Sequence, residues 1–186
     1  MAIVRPYEAK DKENVREVCL ATGPKDAYEP KKRVFLTLCF SDYYTENEPD
    51  NCFVLADDAD NAVGYILCAE NYGRYAQVFR RDYLPRVRKL GFFLGIGAWV
   101  NVVLHGHYAK QYPAHLHIDI LDAFQRQGYG SRLMDALSAK LKEKGVPAVM
   151  LVVGRGNQKG RSFYLKYGFE EVKVLPGGVV MGLKLL

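Results

Sequence analysis

The amino-acid sequence predicts an α/β domain whose central sheet is mixed. Segments with strand-like alternation and segments with helical spacing follow one another along the chain, and glycine or proline separates most of them. The 186 residues, 49% hydrophobic and 25% charged, suffice for one core without disulfide or metal support. We therefore expect a single domain over residues 1–186.

The first half of the chain predicts a strand, two helices and a hairpin. Residues 3–8 alternate between apolar and polar side chains, and Asp11 suits the cap of a helix that a Gly-Pro pair ends. Helical spacing of apolar residues returns at about 33–43. Acidic turn residues 57–61 then separate two apolar strands. Those two strands are predicted at 52–56 and 62–69.

Residues 71–113 interrupt this pattern. Tyrosines and arginines are mixed there before the apolar stretch 92–104 begins. We predict a helical insertion between two strands, which forms either a lid or substrate wall, or a solvated basic helix with an apolar inner face. The apolar stretch is too short to span a bilayer, and an exposed 92–104 face would favour a homodimer.

The second half is more regular. A long amphipathic helix ends at Gly145, and the strand after it is apolar throughout, as in a strand that is buried on both faces. A Gly-Gly pair forms the turn before the last strand. Strands are predicted at 114–121, 147–153, 169–175 and 179–186, and helices at 128–144 and 157–167.

Composition argues against several kinds of partner. The net charge of +5 is too mild for a dedicated nucleic-acid binder but suits a phosphorylated ligand. The four cysteines lie far apart in apolar segments without a Cys-x-x-Cys pair, which favours core thiols over disulfides or zinc ligands. The first residues lack the apolar run of a signal peptide, so we expect a cytoplasmic protein that does not bind membranes.

Two segments indicate where chemistry takes place. In the first, a buried strand leads into a loop whose glycines precede a helix, where free N–H groups and the helix dipole attract phosphate. In the second, Tyr164 follows Asn157 by seven residues and shares its face of a helix, where a phenol can donate a proton to a leaving group. Taken alone, each segment is also typical of core packing.

Together the two segments resemble the GNAT superfamily of acetyl-CoA-dependent N-acetyltransferases. Its pyrophosphate loop, (Arg/Gln)-x-x-Gly-x-(Gly/Ala), is matched by Gln125, Arg126, Gln127, Gly128, Tyr129 and Gly130. Its next motif is matched by Asn157, Tyr164, Lys166, Gly168 and Phe169, with Gly160 where alanine is usual. A weaker likeness, to the acetyltransferase-like domain of animal O-GlcNAcases and its bacterial relatives, rests on residues 3–7, 42–43, 52–55 and 117–120.

The resemblance implies a mostly antiparallel sheet with helices on both faces and a split between two parallel strands. Acetyl-CoA would be the cosubstrate, with its pantetheine arm in the split and its pyrophosphate on the glycine loop, and no metal would be needed. Tyr164 would protonate the departing thiolate. The cofactor-binding residues implied are Ile118, Ile120, Gln125, Arg126, Gln127, Gly128, Tyr129, Gly130, Ser131 and Asn157.

The general base stays open between two residues. His115, His117 and Asp119 alternate along one strand and therefore face the same side. Asp119 lies between isoleucines, which should raise its pKa and suit it as the base, although an aspartate here can also simply order the split. His117 is the second candidate, or an ordinary buried histidine. A metal site is disfavoured because successive positions on one strand face, ~6–7 Å apart, strain a three-ligand site.

Two functions follow from these patterns. The first is an acyltransferase in which a primary amine, from a small amine, an aminosugar or a peptide terminus, attacks the thioester directly. The alternative is a non-catalytic acyl-CoA-binding module. A nucleic-acid binder that uses the basic residues of 80–89 would require steeply salt-dependent binding, and the mild net charge argues against it.

Overall fold

The computed structural model describes residues 2–186 and shows one seven-stranded sheet; Met1 lies outside the described residues. The strands are Ile3–Pro6 (β1), Cys52–Ala56 (β2), Ala62–Ala69 (β3), Ala114–Ile120 (β4), Ala148–Gly154 (β5), Glu170–Val174 (β6) and Gly178–Lys184 (β7). Their order in the sheet is β1-β2-β3-β4-β5-β7-β6. Every pairing is antiparallel except that of β4 with β5. The predicted fold class is confirmed.

Eight α-helices surround the sheet in the described part of the chain. They are Lys12–Ala21 (α1), Pro30–Thr37 (α2), Tyr43–Asn47 (α3), Tyr72–Val78 (α4), Leu84–Leu90 (α5), Phe92–Gly106 (α6), Tyr129–Glu143 (α7) and Gln158–Tyr167 (α8). Two π-helical turns, Leu38–Asp42 and Phe79–Tyr83, join α2 to α3 and α4 to α5. The helix predicted at 33–43 is therefore longer than expected. It begins at Pro30, whose fixed φ suits a first helical turn, before the apolar spacing starts.

Alternation along the strands divides the core into two layers. On β3, Tyr65 and Leu67 belong to the layer formed with α1 to α6, whereas Ile66 and Cys68 belong to the layer formed with α7 and α8. All four cysteines are buried and free, which confirms the prediction of core thiols. In the described residues, no helix is both long enough and apolar enough to span a membrane.

The two parallel strands separate soon after they meet. β4 and β5 pair only at Ala114–Val149 and His115–Met150. Beyond these pairs, β4 remains bonded to β3 on its other side, and β5 remains bonded to β7 along its whole length. Because each strand is held by a different neighbour, the two facing edges diverge. This is the predicted split.

Candidate functional site

Backbone groups of β4 point into the split. Leu121 donates its N–H to the Val63 oxygen of β3 at 3.0 Å, so the alternating groups of Ile118 and Ile120 point to the opposite side, toward β5. The Ile120 carbonyl already accepts a hydrogen bond from the Gln125 side chain at 2.8 Å. Of the two predicted binding residues, Ile118 therefore offers an N–H and an unpaired carbonyl, while Ile120 offers an N–H and a carbonyl that already accepts one hydrogen bond.

Three side chains of the predicted pyrophosphate loop organise the loop itself. Gln125 also bonds Asp122 at 3.0 Å, and the Gln127 side chain donates to the Ala123 carbonyl at 2.9 Å. Tyr129 is buried, and its hydroxyl accepts from the Ala2 N–H at 3.3 Å. A ligand at this loop therefore meets the backbone of these residues rather than their side chains.

Unpaired amides lie at the start of α7. The Arg132 N–H is the first to bond within the helix, to the Gly128 oxygen at 3.3 Å. In the described chain, the six N–H groups from Arg126 to Ser131 have no protein acceptor. Positive φ values of 60° at Arg126 and 81° at Gly128 turn the chain into the helix. The result is a concave row of donors at the positive end of a helix dipole, which suits a phosphate anion.

The two arginines of this region have no acidic partner among residues 2–186. Arg126 is exposed and forms no hydrogen bond or ion pair there, while Arg132 lies over the Tyr129 ring at 5.6 Å. Gly130 has a packing role besides the ligand-binding role predicted from the sequence. A Cβ on Gly130 would lie 3.1 Å from the Phe163 ring, so this glycine allows α7 to approach α8.

Asp119 lies at the open end of the split, on the α1 side of the sheet. Its Oδ2 accepts a hydrogen bond from the Tyr65 hydroxyl at 2.5 Å. Burial raises the pKa of its carboxyl from 3.8 to about 6, and the hydrogen bond from Tyr65 acts in the opposite direction. The predicted raised pKa is confirmed, and burial is its main cause.

The two histidines of β4 face the same side as Asp119, as predicted. His115 is buried, and its Nε2 lies 2.6 Å from the Tyr44 hydroxyl. His117 packs edge-to-face on Phe40 and on Tyr44. Burial lowers the pKa of His117 to about 3, so its imidazole is neutral at pH 7 and is a much weaker proton acceptor than Asp119.

Tyr164 projects from α8 in the opposite layer. Burial raises the pKa of its phenol well above 10, and the negative charge of Asp119 acts in the same direction. The phenol is therefore protonated at neutral pH and lies within electrostatic range of Asp119. No side-chain hydrogen bond engages its hydroxyl in the described chain, so the O–H is free to bind a ligand.

Asn157 differs from its expected placement. It lies just outside α8 as the N-cap, where its Oδ1 accepts the Gly160 N–H at 2.8 Å. A Cβ on Gly160 would lie 2.8 Å from the Asn157 Nδ2, so the glycine leaves room for this capping conformation. The side-chain NH₂ of Asn157 remains exposed for a ligand.

Sequence reasoning did not identify Tyr65 as the partner of Asp119. Tyr65 is opposite Asp119 in the β3–β4 register. This contact depends on which strands are neighbours, which no local pattern of the sequence encodes. Among residues 2–186, no group of three His, Cys, Asp or Glu side chains is arranged to hold a metal ion.

A mostly antiparallel sheet with one split parallel pair, followed by a donor-lined helix N-terminus, defines an acetyltransferase fold. The chain belongs to the acetyltransferase (GNAT) family, whose sequence profile matches residues 21–169. It is thus an acyltransferase of that class.

Solved structures share the whole fold. The crystal structure of SsHAT is 30% identical, with a TM-score of 0.89 over 100% of this chain and 98% of that one. The PaiA N-acetyltransferase of Thermoplasma acidophilum, solved with coenzyme A, is 16% identical with a TM-score of 0.64 over 99% of each chain. Ard1 of Thermoplasma volcanium is 22% identical with the same TM-score, over 100% and 98%.

Proposed function

We propose that the chain transfers the acetyl group of acetyl-CoA to a primary amine by direct attack of the amine on the thioester. Two observations support this proposal: Asp119 lies where β4 has separated from β5, within electrostatic range of the Tyr164 phenol, and a row of unpaired amides follows the same strand. One side chain accepts a proton in neutral solution, the other holds one, and they approach from opposite faces of the sheet.

The residues present fit acetyl-CoA. The amides of residues 126–131 and the unpaired Arg126 and Arg132 suit a pyrophosphate, and the free groups of Ile118 and Ile120 suit the amides of a pantetheine arm. The exposed NH₂ of Asn157 is a further donor toward that arm. When bound, the cosubstrate supplies an activated acetyl carbonyl and a thiolate leaving group.

Two side chains of the protein then transfer protons, one from the acceptor amine and one to the leaving thiolate. Asp119, ionised above pH 6, removes a proton from the acceptor ammonium, directly or through a water, so that the amine carries a lone pair. Tyr164 keeps its proton until a thiolate forms and then donates it. The carboxyl afterwards loses its proton to solvent, and the phenolate takes up the second proton that the nitrogen loses as the amide forms, so the enzyme returns to its starting state.

The acceptor site is proposed at residues 71–113. Helices α2, α4 and α6 enclose a cavity of about 210 Å³ whose lining includes Phe35, Phe40 and Asn101 and no charged residue. Phe40 packs on His117, two positions before Asp119 on the same strand face. Small amines, aminosugars and peptide termini remain the candidate acceptors, and this lining favours one with an apolar part that enters the cavity.

The proposal also includes a closer family relationship and a cellular location. The likeness of residues 3–7, 52–55 and 117–120 supports a relationship to the acetyltransferase-like domain of animal O-GlcNAcases. Four buried free thiols support a cytoplasmic protein. The kinship also keeps the second candidate function, a non-catalytic acyl-CoA-binding module.

Calorimetric titration with acetyl-CoA tests the site first. We expect micromolar binding that Arg126→Glu weakens about tenfold or more, because a charge-assisted contact becomes a repulsion. Lys173→Glu makes the same charge change on exposed β6 and should leave the affinity unaltered. Absence of binding to the wild type would contradict both candidate functions.

Turnover then separates the two candidates. A panel of primary amines is screened by release of free thiol from acetyl-CoA. For an amine that supports release, Tyr164→Phe should lower kcat by about 10²-fold or more while the acetyl-CoA Kd is retained. If no amine in the panel supports release above the enzyme-free rate, the binding-module candidate is favoured.

A further inference from the structure

One helix of the insertion exposes a broad apolar surface. Phe92 and Phe93 at its start are 74% and 84% exposed. We define the α6 face as the exposed apolar side chains of this helix, namely Phe92, Phe93, Ile96, Trp99, Val100, Val103 and Leu104. Only Gly95, Ala98 and Val102 of α6 are buried, so a narrow strip attaches the helix to the protein.

The exposed area exceeds that of an ordinary surface patch. Weighted by their exposed fractions, the seven side chains present about 670 Å² of apolar surface, when a full aromatic side chain counts as roughly 200 Å² and an aliphatic one as roughly 150 Å². The largest apolar patch on a typical monomer is about 300–600 Å². Each partner in a standard protein–protein interface buries about 800 Å². The α6 face thus approaches what one side of a stable dimer needs.

We propose that the α6 face is the interface between two copies of this chain. Phe92, Ile96, Trp99 and Val103 are spaced by four, three and four residues, which is the seam spacing of paired helices. Gly97 lies off this seam, on the side of α6 that lines the cavity beside Phe35 and Phe40, so the seam and the cavity occupy different sides of the helix. A two-fold axis near the helix centre would bring each seam onto its copy in antiparallel orientation.

The charges around the face argue against a partner that is recognised by opposite charge. No Asp, Glu, Lys or Arg occurs from residue 90 to residue 109, so the face carries no charge that a partner of opposite sign would recognise. Basic residues flank it: Arg88 and Lys89 precede α6, and Lys110 follows it. In an antiparallel pair these like charges approach one another, so added salt should tighten the dimer. Binding to an anionic lipid surface would weaken with salt instead.

The test is the mass of the protein in solution. Light scattering after size exclusion, at micromolar concentration and moderate salt, should give about 42 kDa, twice the 21.0 kDa of the chain. Trp99→Glu and Phe93→Glu should each give a 21 kDa monomer, because they bury a charge in the interface. Val174→Glu, at an exposed apolar position on β6, should leave the dimer intact. Circular dichroism checks that each variant is folded. If one of the two variants fails to fold, the other still tests the interface.

Three results would overturn the proposal. These are a wild type that remains 21 kDa up to high micromolar concentration, a dimer that both glutamate variants retain, and a dimer that dissociates as salt rises. Cosedimentation with phosphatidylglycerol–phosphatidylcholine vesicles, by a wild type that is monomeric in solution, would assign the face to lipid. None of these measurements uses catalytic activity, so their outcome is independent of the proposed function.

Discussion

At the scale of single residues, the site depends on how burial sets protonation. Asp119 and His117 lie on one strand face two positions apart, yet burial moves their pKa values in opposite directions, to about 6 and about 3. Each shift favours the neutral form, and the carboxyl keeps a value close to the operating pH of an enzyme. Asp119 is therefore the better candidate for the base, which agrees with the preference drawn from the sequence.

The pH dependence of the reaction should identify the base. We expect kcat/KM to rise about tenfold per pH unit below pH 6 and to level off above it, as the Asp119 carboxyl ionises. Asp119→Asn should lower the plateau by about 10²-fold or more and remove this limb, whereas His117→Asn should retain it. A limb that follows His117 instead would transfer the role of base to the histidine.

Tyr65 provides a matched control for that profile. Its hydrogen bond lowers the pKa of Asp119 because it stabilises the carboxylate. Tyr65→Phe should therefore move the acid limb to higher pH while the plateau changes little.

The same shift predicts how stability varies with pH. The folded carboxyl of Asp119 has a pKa of about 6 against 3.8 for the free group, so the folded state binds the proton more tightly than the unfolded state. Stability is thus lost as the pH rises from about 4 to about 6, by up to about 3 kcal/mol. Asp119→Asn should unfold at higher urea concentration than the wild type at pH 8 and at nearly the same concentration at pH 3.5. Equal midpoints at pH 8 would contradict the burial of a charged Asp119.

At the scale of elements, local patterns predicted most of the strands and helices. Residues 52–56 and 62–69 form strands with the predicted bounds, and the predicted long helix at 128–144 differs from α7 by one residue at each end. The two GNAT motifs also predicted both parts of the candidate site, the loop before α7 and the residues of α8. What the sequence did not provide is pairing across the chain: the Tyr65–Asp119 contact, the Gly130–Phe163 approach and the buried Tyr129 all arise from tertiary packing.

The start of α8 allows a test that separates capping from ligand binding. Asn157→Ala removes the N-cap and should cost about 1 kcal/mol of stability. Gly160→Ala displaces the same side chain but adds a better helix former, so the two effects offset each other to within about 1 kcal/mol. Urea unfolding measures both costs. If Asn157 contacts the pantetheine arm, both variants should bind acetyl-CoA with a higher Kd, as measured by calorimetry, even though Gly160→Ala changes stability little. An unaltered Kd in both variants would show that Asn157 only caps the helix.

At the scale of the whole molecule, the two faces of the sheet contribute different parts of the candidate site. The α7–α8 layer supplies the donor row and Tyr164, while the α1–α6 layer supplies the environment of Asp119 and the cavity beside His117. Chemistry is proposed where the split lets the two layers meet. The insertion thus adds a cavity wall and the α6 face without altering the sheet.

The net charge of +5 should govern how the cosubstrate is captured. Acetyl-CoA carries its negative charge on phosphates, and the Debye length falls from about 30 Å to about 3 Å between about 0.01 M and about 1 M salt. We expect its Kd, measured by calorimetry, to rise steadily over this range, because screening weakens attraction to Arg126 and to the start of α7. Arg126→Glu should flatten this salt dependence of the Kd, and Lys173→Glu should preserve most of it.

A thioester without phosphates provides the control. S-acetyl-N-acetylcysteamine has the same thioester, and the rate at which the enzyme consumes it should change little with salt. A salt-independent Kd for acetyl-CoA would show that the donor row of α7 does not hold the phosphates.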